Sequence, residues 1–149
     1  MSTGFLVIIS GPSGSGKSTI CRKLMGKNPS LRYSISFSTR PSRPKERHGK
    51  HYYFISPAEF KRKVDAGQML EWAQVHGNFY GTPLKPVKDS MRDDSLILLD
   101  LDVQGAKSIT SLASRQNPSW DVVTIFLLPP SWTVLRHRLR LRKESRGAV

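Results

Sequence analysis

The sequence predicts an α/β fold, a parallel sheet core flanked by helices and interrupted by a small β-rich insert, and three observations carry that reading. Phe5-Leu-Val-Ile-Ile-Ser10 is an apolar, β-branched run that passes straight into a glycine-rich loop and then into a helix-patterned segment. Two later runs, Ser95 to Asp102 and Asp121 to Leu128, repeat the buried-strand pattern with a helix-length segment between and after them, the rhythm of strand-helix-strand units. Between the first unit and the second lie about 50 residues of short alternating runs and turn residues, an excursion rather than a second domain.

Each element has its own warrant. The first strand is 5–10, the loop 11–18, and the first helix runs to about Gly26, where Gly26-Lys-Asn-Pro29 supplies stop signals. That helix places Ile20, Cys21, Leu24 and Met25 on one face. Leu31 to Ser38 alternates as a strand does, and after the loop from Pro41 to Gly49 comes the β-rich His51-Tyr-Tyr-Phe-Ile55. Ser56 caps a helix with Pro57 at its first position and Glu59 completing a capping box. It carries Phe60 and Val64 inward and stops at Gly67. Residues 69–83 read as short strands and turns, broken at Gly77-Asn78 and at Gly81-Thr-Pro83. The second parallel strand, Ser95 to Asp102, ends in acids; Gln104 to about Ser114 follows as a helix. A third strand, Asp121 to Leu128, closes at Pro129-Pro130, and Ser131 caps a basic helix from Trp132 to about Arg142.

At 149 residues the chain is of single-domain size. Its balance, 38% hydrophobic and 23% charged, is that of a globular protein, and no apolar run approaches the ~20 residues of a membrane span. Met1-Ser-Thr-Gly lacks a basic leader region, so no secretory signal is expected. The single Cys21 forms no internal disulfide, which suits a reducing, cytoplasmic setting, and it is expected to pack rather than react. The net charge of +13 is patchy: residues 40–51 hold +4 and residues 136–149 hold +5. Such patches attract polyphosphate, whether nucleotide or nucleic acid. Aromatic residues are not interleaved with the C-terminal arginines as single-strand readers prefer, so no dedicated nucleic-acid partner is expected.

The loop narrows the ligand class. Gly11-x-x-x-x-Gly16-Lys17-Ser18 fits the nucleoside-triphosphate P-loop pattern, with the strand before and the helix after that the pattern requires. Glycines 11, 14 and 16 let the backbone wrap an anion with its N–H groups inward. The helix N-terminus adds positive potential, Lys17 reaches the β- and γ-phosphates, and the Ser18 hydroxyl is a ligand for Mg²⁺. Gly11, Ser13, Gly14, Ser15, Gly16, Lys17, Ser18 and Thr19 are the expected ATP-binding residues. Asp100 and Asp102 fall at the carboxyl end of the second strand, where an open parallel sheet binds ligands. Asp100 is the expected metal partner of Ser18, partly through water; the alternative for either acid is to pair with a nearby basic residue or to cap the next helix.

These residues and several further motifs, in order, resemble the guanylate kinase family of ATP:GMP phosphotransferases. Ser36-Phe-Ser-Thr-Arg40-Pro-Ser-Arg43-Pro with His48-Gly-Lys-His-Tyr52 is similar to the family's GMP-phosphate motif. Glu71-Trp-Ala and Gly77-Asn-Phe-Tyr80-Gly-Thr82 resemble its guanine-recognising stretch, and Leu99-Asp100-Leu-Asp102-Val-Gln104-Gly105 its acidic strand end. The resemblance covers residues 4 to 142. It implies a P-loop NTPase fold with a core of 1–31 and 84–134, a GMP-binding lobe of 32–83 and the start of a lid at 135–149. It implies ATP and GMP as partners with Mg²⁺, and GMP-binding roles for Ser36, Arg40, Arg43, Tyr52, Glu71, Tyr80, Thr82 and Asp100. Lys17, Arg138 and Arg142 take the catalytic positions. The four histidines have no assigned chemistry and are expected at the surface or in packing. The competing reading is a catalytically impaired GMP-binding or peptide-binding module of the same fold.

The sequence departs from the family pattern after Arg142. Leu141 and Lys143 stand where glycines usually flank the lid arginine, and the rest of the lid, a final strand and a closing helix find no counterpart. A shortened C-terminus is therefore expected, with an apolar flank of the sheet left open. On that reading the chain binds GMP better than it turns it over; steady-state turnover with ATP and GMP of the order of 1–100 s⁻¹ counts against it.

Overall fold

The computed structural model describes residues 4–93, 95–116 and 120–147, leaving out the side chains of residues 116 and 144–147. The Glu144 and Arg146 charges of the C-terminal basic run lie outside the described residues.

The apolar run near the N-terminus forms β1 (Phe5–Ser10), flanked in parallel by β7 (Leu96–Asp100) and β8 (Asp121–Phe126). Ile9 pairs with Asp100 on one side and Ile125 on the other, so the three strands end at one level. β2 (Arg32–Tyr33) adds to the outer edge of β7, giving the order β2-β7-β1-β8. A strand covered on both faces needs no polar alternation, and Leu6, Ile8, Ile9, Ile97, Leu98 and Leu99 are all at most 1% exposed. One face carries Leu6, Ile8, Ile97 and Leu99 against Val87 of α3 (Leu84–Arg92) and Ala106 and Ile109 of α4 (Val103–Gln116). The other carries Ile9 and Leu98 against Cys21 and Leu24 of α1 (Lys17–Lys27). The last helix, α5 (Trp132–Gly147), starts with the Ser131 hydroxyl accepting the Val134 N–H at 3.1 Å.

The excursion forms a second sheet in the order β4-β3-β6-β5, from β3 (Phe37–Ser38), β4 (Tyr53–Phe54), β5 (Met69–Val75) and β6 (Asn78–Pro83). β5 and β6 form a hairpin whose two-residue turn, His76-Gly77, has φ of 49° and 79°, the pair of left-handed residues that matches strand twist. Over this sheet lies α2 (Pro57–Asp65), its cap Ser56 accepting the Glu59 N–H at 3.1 Å as the sequence predicts. Phe60 is 2% exposed and stacks on Phe79 at 5.5 Å, with Trp72 edge-on at 6.3 Å.

Four expectations change. The alternating run Leu31 to Ser38 is two strands in two sheets, because alternation marks a half-buried strand without saying which neighbour it pairs with; Arg32 and Tyr33, assigned to the lobe, pair with β7 of the first sheet. Gly81-Thr-Pro83 is no break: it continues β6, paired to β5 as far as Met69 and Pro83, where a strand end tolerates proline. α3 occupies a stretch to which the sequence reading assigned nothing; Leu84, Val87 and Met91 have helical spacing, and Pro86 sits in the first turn where its missing N–H costs little. α5 continues past Arg142 to Gly147, since no breaker intervenes. β8 is an edge strand, with Val123 40%, Ile125 46% and Phe126 51% exposed.

Phe60 is the center of the insert's packing, and a Cβ on Gly81 would stand only 3.0 Å from its ring. Phe60→Ala should cost about 3–5 kcal/mol in urea unfolding followed by tryptophan fluorescence, and a loss under about 1 kcal/mol counts against this packing.

Candidate active site

The loop after β1 is shaped by glycines that no other residue replaces. Gly11, Gly14 and Gly16 have φ of 146°, 85° and 100°, in the region where a Cβ is strained. A Cβ on Gly11 would also lie 2.4 Å from the Leu127 carbonyl oxygen. α1 begins at Lys17 with no side chain capping its first turn, so its N–H groups are left for an anion. Lys17 Nζ donates to the Gly11 carbonyl at 2.8 Å and the Pro12 carbonyl at 3.3 Å. Burial lowers its pKa, with Asp100 opposing. Ser18 Oγ donates to Asp100 Oδ2 at 2.9 Å. Burial pushes the Asp100 carboxyl above its usual value, and the Ser18 bond and Lys17 work against that.

α5 lies over this loop. Arg138 Nη1 donates to the Gly14 carbonyl at 3.2 Å, and Arg142 Nη1 to the Ser13 hydroxyl at 2.6 Å. Both arginines line a cavity of about 540 Å³ together with Gly14, Ser15, Gly16, Thr19, Ile20 and Leu128. The two acids of the strand end divide: Asp100 faces Ser18, whereas Asp102 Oδ1 accepts the Gly105 N–H at 2.7 Å and caps α4.

On the second sheet, Arg40 is 7% exposed and lies over the Tyr52 ring at 5.1 Å and the Phe54 ring at 5.4 Å. Tyr80 stands edge-on to Tyr52 at 6.2 Å. Burial, then the Asp100 charge, push the Tyr52 phenol up to about 12, which keeps it a protonated donor. Glu71 Oε1 accepts the Thr82 hydroxyl at 2.6 Å, and its Oε2 is so close to α4 that a Cβ on Gly105 would come within 3.3 Å of it. The Ser36 carbonyl accepts the Tyr53 N–H at 2.9 Å, joining β3 to β4, and the Arg43 N–H donates to Glu46 Oε2 at 2.8 Å.

The second sheet meets the first at the end of β7 and the start of α4, where a Cβ on Gly105 would stand 3.2 Å from Asp102 Oδ1 and 3.3 Å from Glu71 Oε2. Sequence reasoning missed two residues here. Tyr33 packs on the Ile9, Cys21 and Leu98 cluster beneath the loop, its phenol pushed up by burial and by Asp100. Glu46, visible in the sequence only as the lone acid of a basic run, pairs with Arg40 through Nη1 at 2.7 Å and Nη2 at 2.8 Å. Two histidines serve the loop that carries it: His51 Nδ1 accepts the Arg47 N–H and His48 Nδ1 the Phe54 N–H. Cys21 is 1% exposed, its thiol pushed up to about 12 by burial, as packing implies.

Burial raises the Glu71 carboxyl above its usual value; the Thr82 hydroxyl opposes this and Asp102 adds to it. A raised carboxyl favours the folded state below the unfolded pKa, and that contribution is lost as pH rises through the folded value. Glu71→Gln should therefore melt above the wild type at pH 7, with the gap closing as pH falls toward 4.5. Equal midpoints at pH 7 would argue against a desolvated charge at this position.

Comparison with known proteins identifies the family of the chain. The family model described as Guanylate kinase matches residues 4–148. The guanylate kinase of Rhizobium etli is 48% identical over 146 residues, which cover 98% of this chain and 64% of that protein. That of Symbiobacterium thermophilum is 45% identical over 147 residues, covering 98% and 67%. The crystal structure of guanylate kinase from Anaplasma phagocytophilum matches with a TM-score of 0.77 at 35% identity, over 99% of this chain and 72% of that one. The chain thus spans 64% of the length of the Rhizobium relative. With sequence and fold in agreement from the first strand to the last helix, the chain belongs to the guanylate kinase family.

Proposed function

We propose that the chain transfers the γ-phosphoryl group of ATP to GMP, giving ADP and GDP. The observation that carries this reading is the convergence on one strand end of the uncapped helix N-terminus with Lys17 and the Ser18–Asp100 pair, and of the half-buried Glu71 carboxylate beside the Asp102 cap of α4. Guanine presents N1–H and its exocyclic amine as adjacent donors, a match for one carboxylate; Glu71 supplies it, and Thr82 and Ser36 add hydroxyls toward the base. Adenine lacks that donor pair. Arg40, Arg43, Tyr52 and Tyr80 are the donors for the monophosphate dianion.

An oxygen of the GMP phosphate attacks the γ-phosphorus, the bond from that phosphorus to the bridging oxygen breaks, and ADP leaves. The nucleophile is already anionic, so positioning and charge neutralisation supply the catalysis and no strong base is needed. Lys17 moves from the loop carbonyls to phosphate oxygens, and Arg138 and Arg142, already at the loop, neutralise the transferring group. Ser18 and Asp100 place a hydroxyl and a carboxylate oxygen together, which fits Mg²⁺, an ion bound by one or two protein oxygens plus substrate phosphates rather than by a protein cage. Held there, Mg²⁺ would neutralise charge on the β- and γ-phosphates. Among the described residues no helix is long and apolar enough to cross a membrane, and we place the reaction in the cytoplasm.

A nucleotide-acceptor panel tests the reading. Lys17→Ala should abolish transfer with every acceptor, whereas Glu71→Ala should weaken GMP by roughly 2–4 kcal/mol and leave ATP unchanged. Calorimetry showing phosphopeptide binding without GMP binding would sink it.

A further inference from the structure

We infer that Glu46 is a positioning residue for the acceptor phosphate: its carboxylate fixes the Arg40 guanidinium so that one edge of the fork stays open to the GMP phosphate. The inference rests on the function proposed above and names the device by which that site is prepared.

A guanidinium has five N–H groups. Arg40 Nη1 spends both of its hydrogens, on Glu46 Oε2 at 2.7 Å and on the Pro41 carbonyl at 2.9 Å, and Nη2 spends one on Glu46 Oε1 at 2.8 Å. Among the described residues no acceptor takes the Nε–H or the second Nη2 hydrogen. Those two N–H bonds lie side by side along one edge and match two oxygens of a phosphate. Glu46 holds the end of the guanidinium, Tyr52 and Phe54 lie against it, and only the Nε edge is left. A carboxylate that competed with phosphate for this arginine would sit on that edge; Glu46 does not.

The loop is built around this carboxylate. Glu46 Oε2 also accepts the Arg43 N–H at 2.8 Å, while the Glu46 N–H donates to the Arg43 carbonyl at 3.0 Å, so one turn ties both phosphate-motif arginines to the same acid. Lys45, just before it, is held at φ 70°, a left-handed conformation that a lysine does not choose unaided. Prior fixing of a long side chain removes the ordering cost that substrate would otherwise meet. It also gives the nearly buried guanidinium a counter-charge before the dianion arrives.

The test compares wild type, Glu46→Gln and Glu46→Asp by steady-state kinetics with ATP and GMP, and by calorimetry with GMP and with guanosine, which lacks the phosphate. Glu46→Gln puts an amide N–H against a guanidinium N–H, and it should raise KM for GMP about tenfold or more. We expect kcat, KM for ATP and guanosine binding to stay within about threefold, the limit within which a substitution has left a step alone. Glu46→Asp keeps the charge and should recover part of the loss. Unchanged or tighter GMP binding by Glu46→Gln overturns the inference, as does a parallel loss of guanosine and ATP binding, the mark of a collapsed loop. A wild type that binds no GMP overturns the proposed function itself, whereas a wild type that binds GMP beside an unaffected Glu46→Gln overturns only the role of Glu46.

Discussion

The loop between β1 and α1 depends on how closely the backbone at Gly11 approaches the chain leaving β8. The Leu127 N–H donates to the Ser10 carbonyl at 2.7 Å, and the Leu127 carbonyl then lies where any side chain on residue 11 would begin. This pins the start of the loop to the sheet at the level where β7 presents Asp100. Ser18, one helical position beyond Lys17, can then meet that acid. α5 follows from the same strand end: Leu135 and Leu139 close on Gly14, and Arg138 and Arg142 are carried to the loop by that packing. Change the approach at Gly11 and the anion cradle, the serine-aspartate pair and the arginine helix all shift together.

The cleft is expensive to keep, and the cost falls on its charges. Glu71 and Asp100 are half-buried carboxylates, and in both cases the loss of solvent raises the pKa. Among the described residues neither has an arginine or lysine as a direct ion-pair partner; each accepts a hydroxyl, from Thr82 and from Ser18. Arg40 is the opposite case, buried and paired, and its pKa is raised because Glu46 outweighs the burial that would lower it. The acids are left with capacity for further donors or cations, while the base is already held in place. Sites of this kind trade folded-state stability for readiness.

Much of this was legible in the sequence, and the reasons differ element by element. β1 and β7 were readable because a parallel strand buried on both faces leaves an unbroken apolar run, β8 because it keeps such a run even at the exposed edge, and the phosphate loop because its glycines are needed by the backbone itself. Ser56-Pro57-Ala-Glu59 announced α2 because each residue of a capping box has a fixed duty. The sequence was less clear where pairing partners mattered. Leu31 to Ser38 carries the right alternation but no mark of the point where the chain leaves one sheet for the other. Gly81 and Pro83 look like punctuation and are strand, because the hairpin with β5 overrides their local preference. The candidate residues Arg40, Tyr52, Glu71 and Thr82 were named through family resemblance, and the approach of Glu71 to α4 is a tertiary fact that spacing alone could not supply. Glu46 escaped notice because a single acid among five bases reads as charge balance until its side chain is seen on the guanidinium.

The second sheet is spliced into the first beside a single strand. The chain departs after β2, which pairs with β7, and returns through α3, which packs on the same strand. Between those points it builds its own pleated surface, hairpin and aromatic cluster, and it borrows from the parent sheet little beyond the strand end and the α4 cap that face it. An excursion with neighbouring entry and exit can be exchanged or enlarged without re-threading the rest of the polypeptide. Residues 34–83 could then be rewritten as a block while the strand, phosphate loop and helix framework on either side of them keeps its packing.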